Sequence, residues 1–393
     1  MSERIIAGGT VFAAEGPIAD GAVAIRDGKI IWVGPEAALP AAPAERPLAA
    51  WPRFDAGGGH IVPGFVDVHI HGGGGGDVMQ ATPEGLLTMA RAHAKHGTTA
   101  FLASTATAPH DALVAAAQNV RRVMDEPTGG AQVIGLHLEG PYINPKRVGA
   151  QNPAFVRDPN LGELREFAAI LGDGFKRITI APEQPGAPAA IAWLAERGVG
   201  VSLGHTAATY EEARRGVDAG ARYTTHTYNA MSPLHHREPG VVGLALSDER
   251  LTCELIADTI HVHPAAMQAL WAAKGEGRVA LITDAIMAMG RPDGVYDFGG
   301  LRIHVKAGSA RLDDGVTLAG SVLDMATAIR NSVACGVSLE RAVRAASAVP
   351  AQAAGAGHRK GRLAPGYDAD IAVLDADLRC TATWVAGEQV HSV

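Results

Sequence analysis

From Ile61 onward, short apolar runs alternate with longer segments that keep one apolar face at helical spacing. The runs predict strands at Phe65–His71, Ala100–Thr105, Gln132–Glu139, Arg177–Pro182, Val199–His205, Tyr223–His226, Thr252–Ala257 and Val279–Asp284. Between them, helices are expected after Thr82-Pro83-Glu84, where an N-cap residue and a first-turn proline precede Leu86, Leu87, Ala90 and Ala94. Gly97 stops that helix. Further helices are expected near His110–Met124, Gly162–Leu171, Ala187–Arg197, Tyr210–Ala219 and Pro264–Ala273. Eight strands in alternation with helices argue for a closed (β/α)8 barrel of the TIM type rather than an open sheet. The sixth strand is followed instead by a Pro/Gly/His/Arg stretch, Ser232 to Asp248, read as one long functional loop.

The chain ends carry a different pattern. Arg4 to Ala13 and Ala22 to Val33 are rich in β-branched residues, with Asp27-Gly28 as a hairpin turn. Proline and alanine dominate from Leu39 to Pro52, which reads as an exposed loop. After the eighth strand, Leu301–Val305 and Gly315–Leu318 look like extra strands, and Leu323–Ala334 and Leu339–Ala348 like helices. Ile371–Leu374, Cys380–Val385 and Gln389–His391 return to β structure. The expected organisation is α/β: a barrel over residues 61–355 and a small β-sandwich domain built from both termini, residues 1–60 and 356–393.

Composition narrows the partners. Of 393 residues 47% are hydrophobic and 48 are glycine, which suits a compact protein with many tight βα turns. The formal net charge of −7 leaves no basic surplus for nucleic acid or an anionic membrane, though a small anionic substrate needs only local cations. Cys253, Cys335 and Cys380 are too few and too far apart for a disulfide framework, so a reducing cytoplasm is the expected setting. No apolar run reaches membrane-spanning length, and Met1-Ser2-Glu3-Arg4 does not begin a signal peptide.

Candidate chemistry sits at the strand ends. In Asp67-Val68-His69-Ile70-His71, alternation puts both histidines on one face, where they can share a metal ion. Glycines 72 to 76 are expected to leave the mouth of the site free of side chains. Glu139, His205, His226 and Asp284 stand at four further strand ends, the end at which such barrels place their active sites. Any one alone reads as structural; six groups at five strand ends do not. Imidazoles with carboxylates suit zinc or a neighbouring divalent ion, which lowers the pKa of a bound water from about 15.7 towards 7. Asp284 is placed to take that water's proton and pass it to a leaving group. Metal-assisted hydrolysis of an amide is the expected reaction.

Other readings were weighed against this one. Gly200-Val201-Ser202-Leu203-Gly204 matches a nucleophile elbow, but Ser202 lies inside a strand that runs on to His205, where no sharp turn can form. A non-catalytic scaffold should have lost some of the six groups. His137 reads as a core histidine, His93 and His96 as surface residues near a helix C-terminus, and His235 and His236 as solvated loop residues. His263, just before Pro264, reads as structural.

Seven segments carry a resemblance: PGFVDVHIHGGGG (63–75), GLHLEGPYINPKRVGAQNP (135–153), SLGHT (202–206), THTYNAMSPLHHREPG (225–240), LITDAI (281–286), LAGS (318–321) and GRLAPGYDADIAVLD (361–375). With them the chain is similar to the amidohydrolase superfamily and, inside it, resembles the N-acetylglucosamine-6-phosphate deacetylase family over essentially its whole length. The resemblance implies Glu139, His205 and His226 as ligands of a main metal and Asp284 as the catalytic acid/base. Asn229 and Ala230 would meet the sugar, Arg237 and His261 the phosphate, and Leu318, Ala319 and Gly320 the far side of the substrate. Ala150 and Gln151 align with another substrate-contacting pair. It implies a divalent metal, Zn2+ foremost with Fe2+, Mn2+ or Co2+ as substitutes, and one or two ions per subunit. The implied partners are a small phosphorylated amino sugar, gluco or galacto, and a second copy of the chain in a homodimer, across which Arg237 reaches.

Departures from the family pattern are also visible. The superfamily's carboxylated lysine has no counterpart where Ala181-Pro182-Glu183 stands. Some members lack the first histidine pair and hold one metal; His69 and His71 make a second position available here. Gln151 stands where some members have a histidine that polarises the acetyl carbonyl, and a glutamine cannot become cationic.

Overall fold

The computed structural model describes residues 3–40, 48, 51–124 and 126–393. Its centre is a parallel sheet of β1 (Phe65–Ile70), β2 (Thr98–Ser104), β3 (Gln132–Glu139), β4 (Phe175–Ile180), β5 (Gly200–Leu203), β6 (Tyr223–Thr224), β7 (Thr252–Ile256) and β8 (Val279–Ile282). The strands pair in chain order from β1 to β8. Helices α1 (Pro83–Ala94), α2 (His110–Val123), α3 (Leu161–Leu171), α4 (Ala187–Ala195), α5 (Tyr210–Ala219), α6 (Gly240–Ser247) and α7 (Pro264–Lys274) follow the first seven strands, and α8 (Met325–Ala334) comes after the eighth. This is the TIM-type barrel that the alternation predicts. The predicted cap also holds, with Thr82 accepting from Gly85 N–H; at α5, Thr209 and Glu212 add a reciprocal capping box.

The seam between β1 and β8 closes at the top, where the site lies. Asp284 N–H donates to the His69 carbonyl at 2.9 Å, and His71 N–H donates to the Ala285 carbonyl at 2.9 Å. Below them, Asp67 accepts from the Thr283 hydroxyl at 2.5 Å and from its N–H. Burial pushes the Asp67 carboxyl up to about 7, against the hydrogen bonds from Thr283 and His69 N–H. The aspartate of the Asp67–His71 motif is therefore a barrel clasp beneath the histidines two and four residues on.

Strands from both termini form a separate sheet, in which His60–Pro63 and Ile371–Leu374 pair with each other beside Glu3–Ala13. Ile6, Val23, Ile25, Ile61, Val373 and Trp384 make its core. Lys29 reaches Asp368 at 2.7 Å and so ties the two ends of the chain together; Arg359 reaches the same carboxylate at 2.7 Å and buried Lys360 reaches Asp370 at 2.6 Å.

Four local expectations are corrected. The second half of the Ser232–Asp248 loop is helix α6, apolar on all sides and buried, so it shows no amphipathic period. The partner of Leu301–Lys306 is Ser309–Leu312 rather than Gly315–Leu318, and Gly294–Phe298 adds a third strand. The Leu39–Pro52 loop is not wholly exposed: Leu48 and Trp51 pack against Ile5 and Ala24, while 41–47, 49 and 50 lie outside the described residues. His93 is fully buried, its Nε2 donating to the Gly72 carbonyl at 2.9 Å, and burial pushes its pKa down to about 4.

Candidate active site

The six strand-end groups converge. His69 and His71 Nε2 atoms lie 3.3 Å apart, and those of His205 and His226 lie 3.0 Å apart. Between the pairs stands Glu139, whose Oε1 is 3.2 Å from His69, 3.3 Å from His205 and 3.2 Å from His226. Asp284 Oδ1 is 3.1 Å from His71 and 3.4 Å from His69. Two groups of three result: His69, His71 and Asp284, and Glu139, His205 and His226.

The backbone is bent to achieve this. His205, His226 and Asp284 have φ of 48°, 29° and 52°, a left-handed conformation that costs a non-glycine residue about 1–3 kcal/mol. Each lies two residues past the end of its strand, at the mouth of the barrel. The glycines after His71 serve packing rather than an open mouth. A Cβ on Gly73 would stand 2.4 Å from His93 Nε2, one on Gly72 2.3 Å from Met287 N, and one on Gly76 2.2 Å from the Gly85 carbonyl oxygen. They form a small buried hairpin, Gly72–Gly73 with Gly76–Asp77.

The donor set fits a metal. Glu139 Oε1 is buried and accepts no well-aligned hydrogen bond, although three imidazole nitrogens surround it. His71 and His205 donate Nδ1–H to the carbonyls of Ser104 and Arg147, at 3.1 and 2.9 Å, which leaves both Nε2 lone pairs pointing inward. Ligands of a tetrahedral ion with bonds of about 2.0–2.2 Å stand about 3.3–3.5 Å apart, close to the spacings seen. The electrostatics agree. Burial opposes protonation of His71, yet the carboxylates of Asp284 and Glu139 hold it up at about 9 and push His69 well above its usual value. Glu139 stays well below the carboxylate range despite burial, chiefly because of the charge on His69. The two buried carboxylates call for positive charge beside them, which protons on His69 and His71 supply in the metal-free site and which a bound cation would supply in their place.

A cavity of about 470 Å³ opens above these groups. Ala150, Gln151, Asn229, Ala230, His261, Leu318 and Gly320 line it. Ala319 is buried. Arg237 does not line it; it stands on an exposed loop, its guanidinium 2.7 Å from His236 Nε2. Gln151 is turned towards Glu139, donating from Nε2 at 2.5 Å while its Oε1 accepts from Thr107 N–H at 2.6 Å. Its firmest contact is thus with a ligand carboxylate.

Sequence reasoning missed several groups here. Phe298, on the Gly294–Phe298 strand, lines the cavity and meets His71 edge-on, ring centres 4.9 Å apart. Lys146 and Arg147 add cations to the rim. Beneath the ligands, one direction of donation satisfies a chain from Ser104 to His137, Thr179, Thr225 and Ser202, at 3.0, 2.8, 2.8 and 2.7 Å. His137 uses both ring nitrogens there, and Ser202 is fully buried, so neither acts on a substrate. Glu183 accepts from Asn144, Thr206 and Ala207 N–H and is structural.

A parallel barrel with this cluster at the C-terminal ends of its strands defines a metal-dependent hydrolase. The family model described as "Amidohydrolase family" matches residues 60–391, and a bacterial imidazolonepropionase-like composite domain matches 21–42. An N-acetylglucosamine-6-phosphate deacetylase of Lysinibacillus sphaericus is 40% identical over 336 residues, covering 85% of this chain and 86% of its own. An N-acetylgalactosamine-6-phosphate deacetylase of Escherichia coli O157:H7 is also 40% identical, over 329 residues, 84% of this chain and 87% of its own. The solved structure of the N-acetyl-D-glucosamine-6-phosphate deacetylase of Mycobacterium smegmatis, in complex with N-acetyl-D-glucosamine-6-phosphate, superposes with a TM-score of 0.92 at 38% identity and covers 100% of both chains. The chain belongs to the N-acetylglucosamine-6-phosphate deacetylase family of the amidohydrolases.

Proposed function

We infer that this protein hydrolyses N-acetyl-D-glucosamine 6-phosphate to D-glucosamine 6-phosphate and acetate. The observation that carries the reading is the convergence of Glu139, His205 and His226 with His69, His71 and Asp284 at the floor of one cavity. A divalent metal, with zinc the best match to the imidazole-rich donor set, supplies a Lewis acid and a water of lowered pKa when bound there. Asp284 then acts as the proton carrier. Burial opposes its ionisation, but positive charge beside it, on His69 and His71 in the metal-free site and on a metal if one is held there, keeps its carboxyl below its ordinary value, so it can act as a base. It takes the proton of the attacking water and returns it to the departing amine. Gln151 holds Glu139 in place, and the restricted rotation of both keeps the ligand oxygen where it is needed.

Asn229 and Ala230 are assigned to the sugar, with Ala150 and the Leu318-Ala319-Gly320 wall on its far side. His261 faces the cavity with its Nδ1 held by Asp258 Oδ2 at 2.6 Å, which suits a phosphate contact. Arg237 does not line its own cavity, and Leu234 on the same loop is 55% exposed. Both features support a homodimer in which Arg237 reads the phosphate bound to the other subunit. We assign residues 1–60 and 356–393 to the small domain and 61–355 to the catalytic barrel. No helix among the described residues is long and apolar enough to cross a membrane, and we place the enzyme in the cytoplasm.

The test is acetate release from N-acetylglucosamine 6-phosphate, its galacto epimer and the two unphosphorylated sugars. The highest kcat/KM should fall on the gluco 6-phosphate. A clear preference for the galacto epimer would transfer the assignment to that substrate, and no acetate from any of the four would refute deacetylation.

A further inference from the structure

Four imidazoles face the site, and the support behind each differs. His71 and His205 lean on backbone carbonyls, while His226 Nδ1 is buried without a partner. His69 alone leans on a carboxylate: its Nδ1 lies 3.0 Å from Glu254 Oε2. The other oxygen of Glu254 accepts from Arg177 Nη1 at 2.6 Å. Both members of this ion pair are fully buried inside the barrel. Glu254 Oε2 also accepts the backbone N–H of His226 at 3.2 Å. One carboxylate therefore touches a member of each three-ligand group, the ring of His69 and the main chain of His226.

Such a pair is hard to explain as a stabilising device. Desolvating two charges costs several kcal/mol each, and apolar replacements of buried pairs are often neutral or stabilising. Arg177 is also incompletely satisfied: its guanidinium lies over the Tyr223 ring at 3.9 Å, and its Nε has no hydrogen-bond partner. What the pair does achieve is directional. With Arg177 holding Oε1, Oε2 stays under His69, fixes the proton on Nδ1 and leaves the Nε2 lone pair facing Asp284 and Glu139. A carboxylate acceptor makes the ring a stronger donor than a carbonyl acceptor does.

We propose that Arg177 and Glu254 are positioning residues that tune His69 as a ligand and set the affinity of the metal position formed by His69, His71 and Asp284. The proposal rests on the two-position reading of the site. It distinguishes the positions: the one formed by Glu139, His205 and His226 touches the pair only through the His226 main chain and should depend on it little.

The experiment uses the full chain as wild type, Glu254→Gln and the double variant Arg177→Met/Glu254→Gln. Each is stripped of metal, dialysed against buffered zinc over a range of free concentrations, and measured for zinc per subunit by mass spectrometry. The double variant leaves no buried charge unpaired, so it serves where the single one does not fold. Wild type should take two equivalents. The variants should hold the first with affinity within about threefold and bind the second about 10–100-fold more weakly, the range typical of such supporting partners. An unchanged second affinity overturns the proposal, as does an equal fall at both positions, which a merely structural pair would give. A wild type that takes only one equivalent overturns the two-position reading and the proposal with it, and the wild-type titration alone reveals that.

Discussion

The two ends of the cavity are built on opposite principles. At its floor, His69, His71, Glu139, His205, His226 and Asp284 are all buried, and their support comes from barrel strands, a hydroxyl chain and a buried ion pair. At its rim, Arg237 is exposed on a loop, Val316 is 74% exposed, and His261 hangs from a turn after β7. The bond-breaking end is complete within one chain and held against strain. The end assigned to the phosphate is more open, and Arg237 does not line its own cavity. Groups that tolerate little misplacement sit at strand ends, and the rim is carried by loops, which adapt more readily.

The largest effect expected from breaking this comparison is at the floor. Asp284→Asn should lower kcat about 10²–10⁴-fold with KM changed only a few-fold, as removal of a general acid/base does. Steady-state kinetics decides it; near-normal turnover would remove Asp284 from the reaction. A smaller and different effect is expected at the rim. Arg237→Ala should raise KM for the phosphorylated sugar about 10–100-fold, roughly 1.4–2.7 kcal/mol, with kcat little changed. The unphosphorylated sugar should show no such rise, and an equal effect on both would deny Arg237 the phosphate.

The smallest effect lies away from both ends, where the terminal sheet is tied together. Burial opposes ionisation of Asp368, but Lys29, Lys360 and Arg359 hold its carboxyl below the ordinary 3.8. A depressed acid contributes stability that is present above 3.8 and lost as pH falls through the lower folded value. Asp368→Asn should therefore cost about 1–2 kcal/mol in urea unfolding at pH 7. The gap from wild type should close in acid below pH 4, and a gap that widens there would reverse the sign.

The floor was far more legible in the sequence than its supports. All eight barrel strands were readable because each is a short apolar run, and each ligand follows or ends such a run in chain order. Helix α6 was hidden because burial on every side erases the periodicity that marks a surface helix. The strands Gly294–Phe298 and Ser309–Leu312 were hidden for other reasons: the first is largely exposed and carries no clean alternation, and the second alternates over only four residues. Arg177 and Glu254 left one faint signal, a single charge within an otherwise apolar strand, Thr252-Cys253-Glu254-Leu255-Ile256. Local sequence cannot tell an outward charge from an inward one, and the partners lie 77 residues apart. The glycines after His71 read as an open mouth, because the sequence does not show that His93 and Met287 pack against them.

The most direct test of the central claim is acetate release from N-acetylglucosamine 6-phosphate by chelator-treated protein as zinc is returned in measured steps. The stripped protein should show negligible turnover, which should rise in proportion to zinc bound per subunit. Full acetate release from protein shown to hold no metal would contradict it.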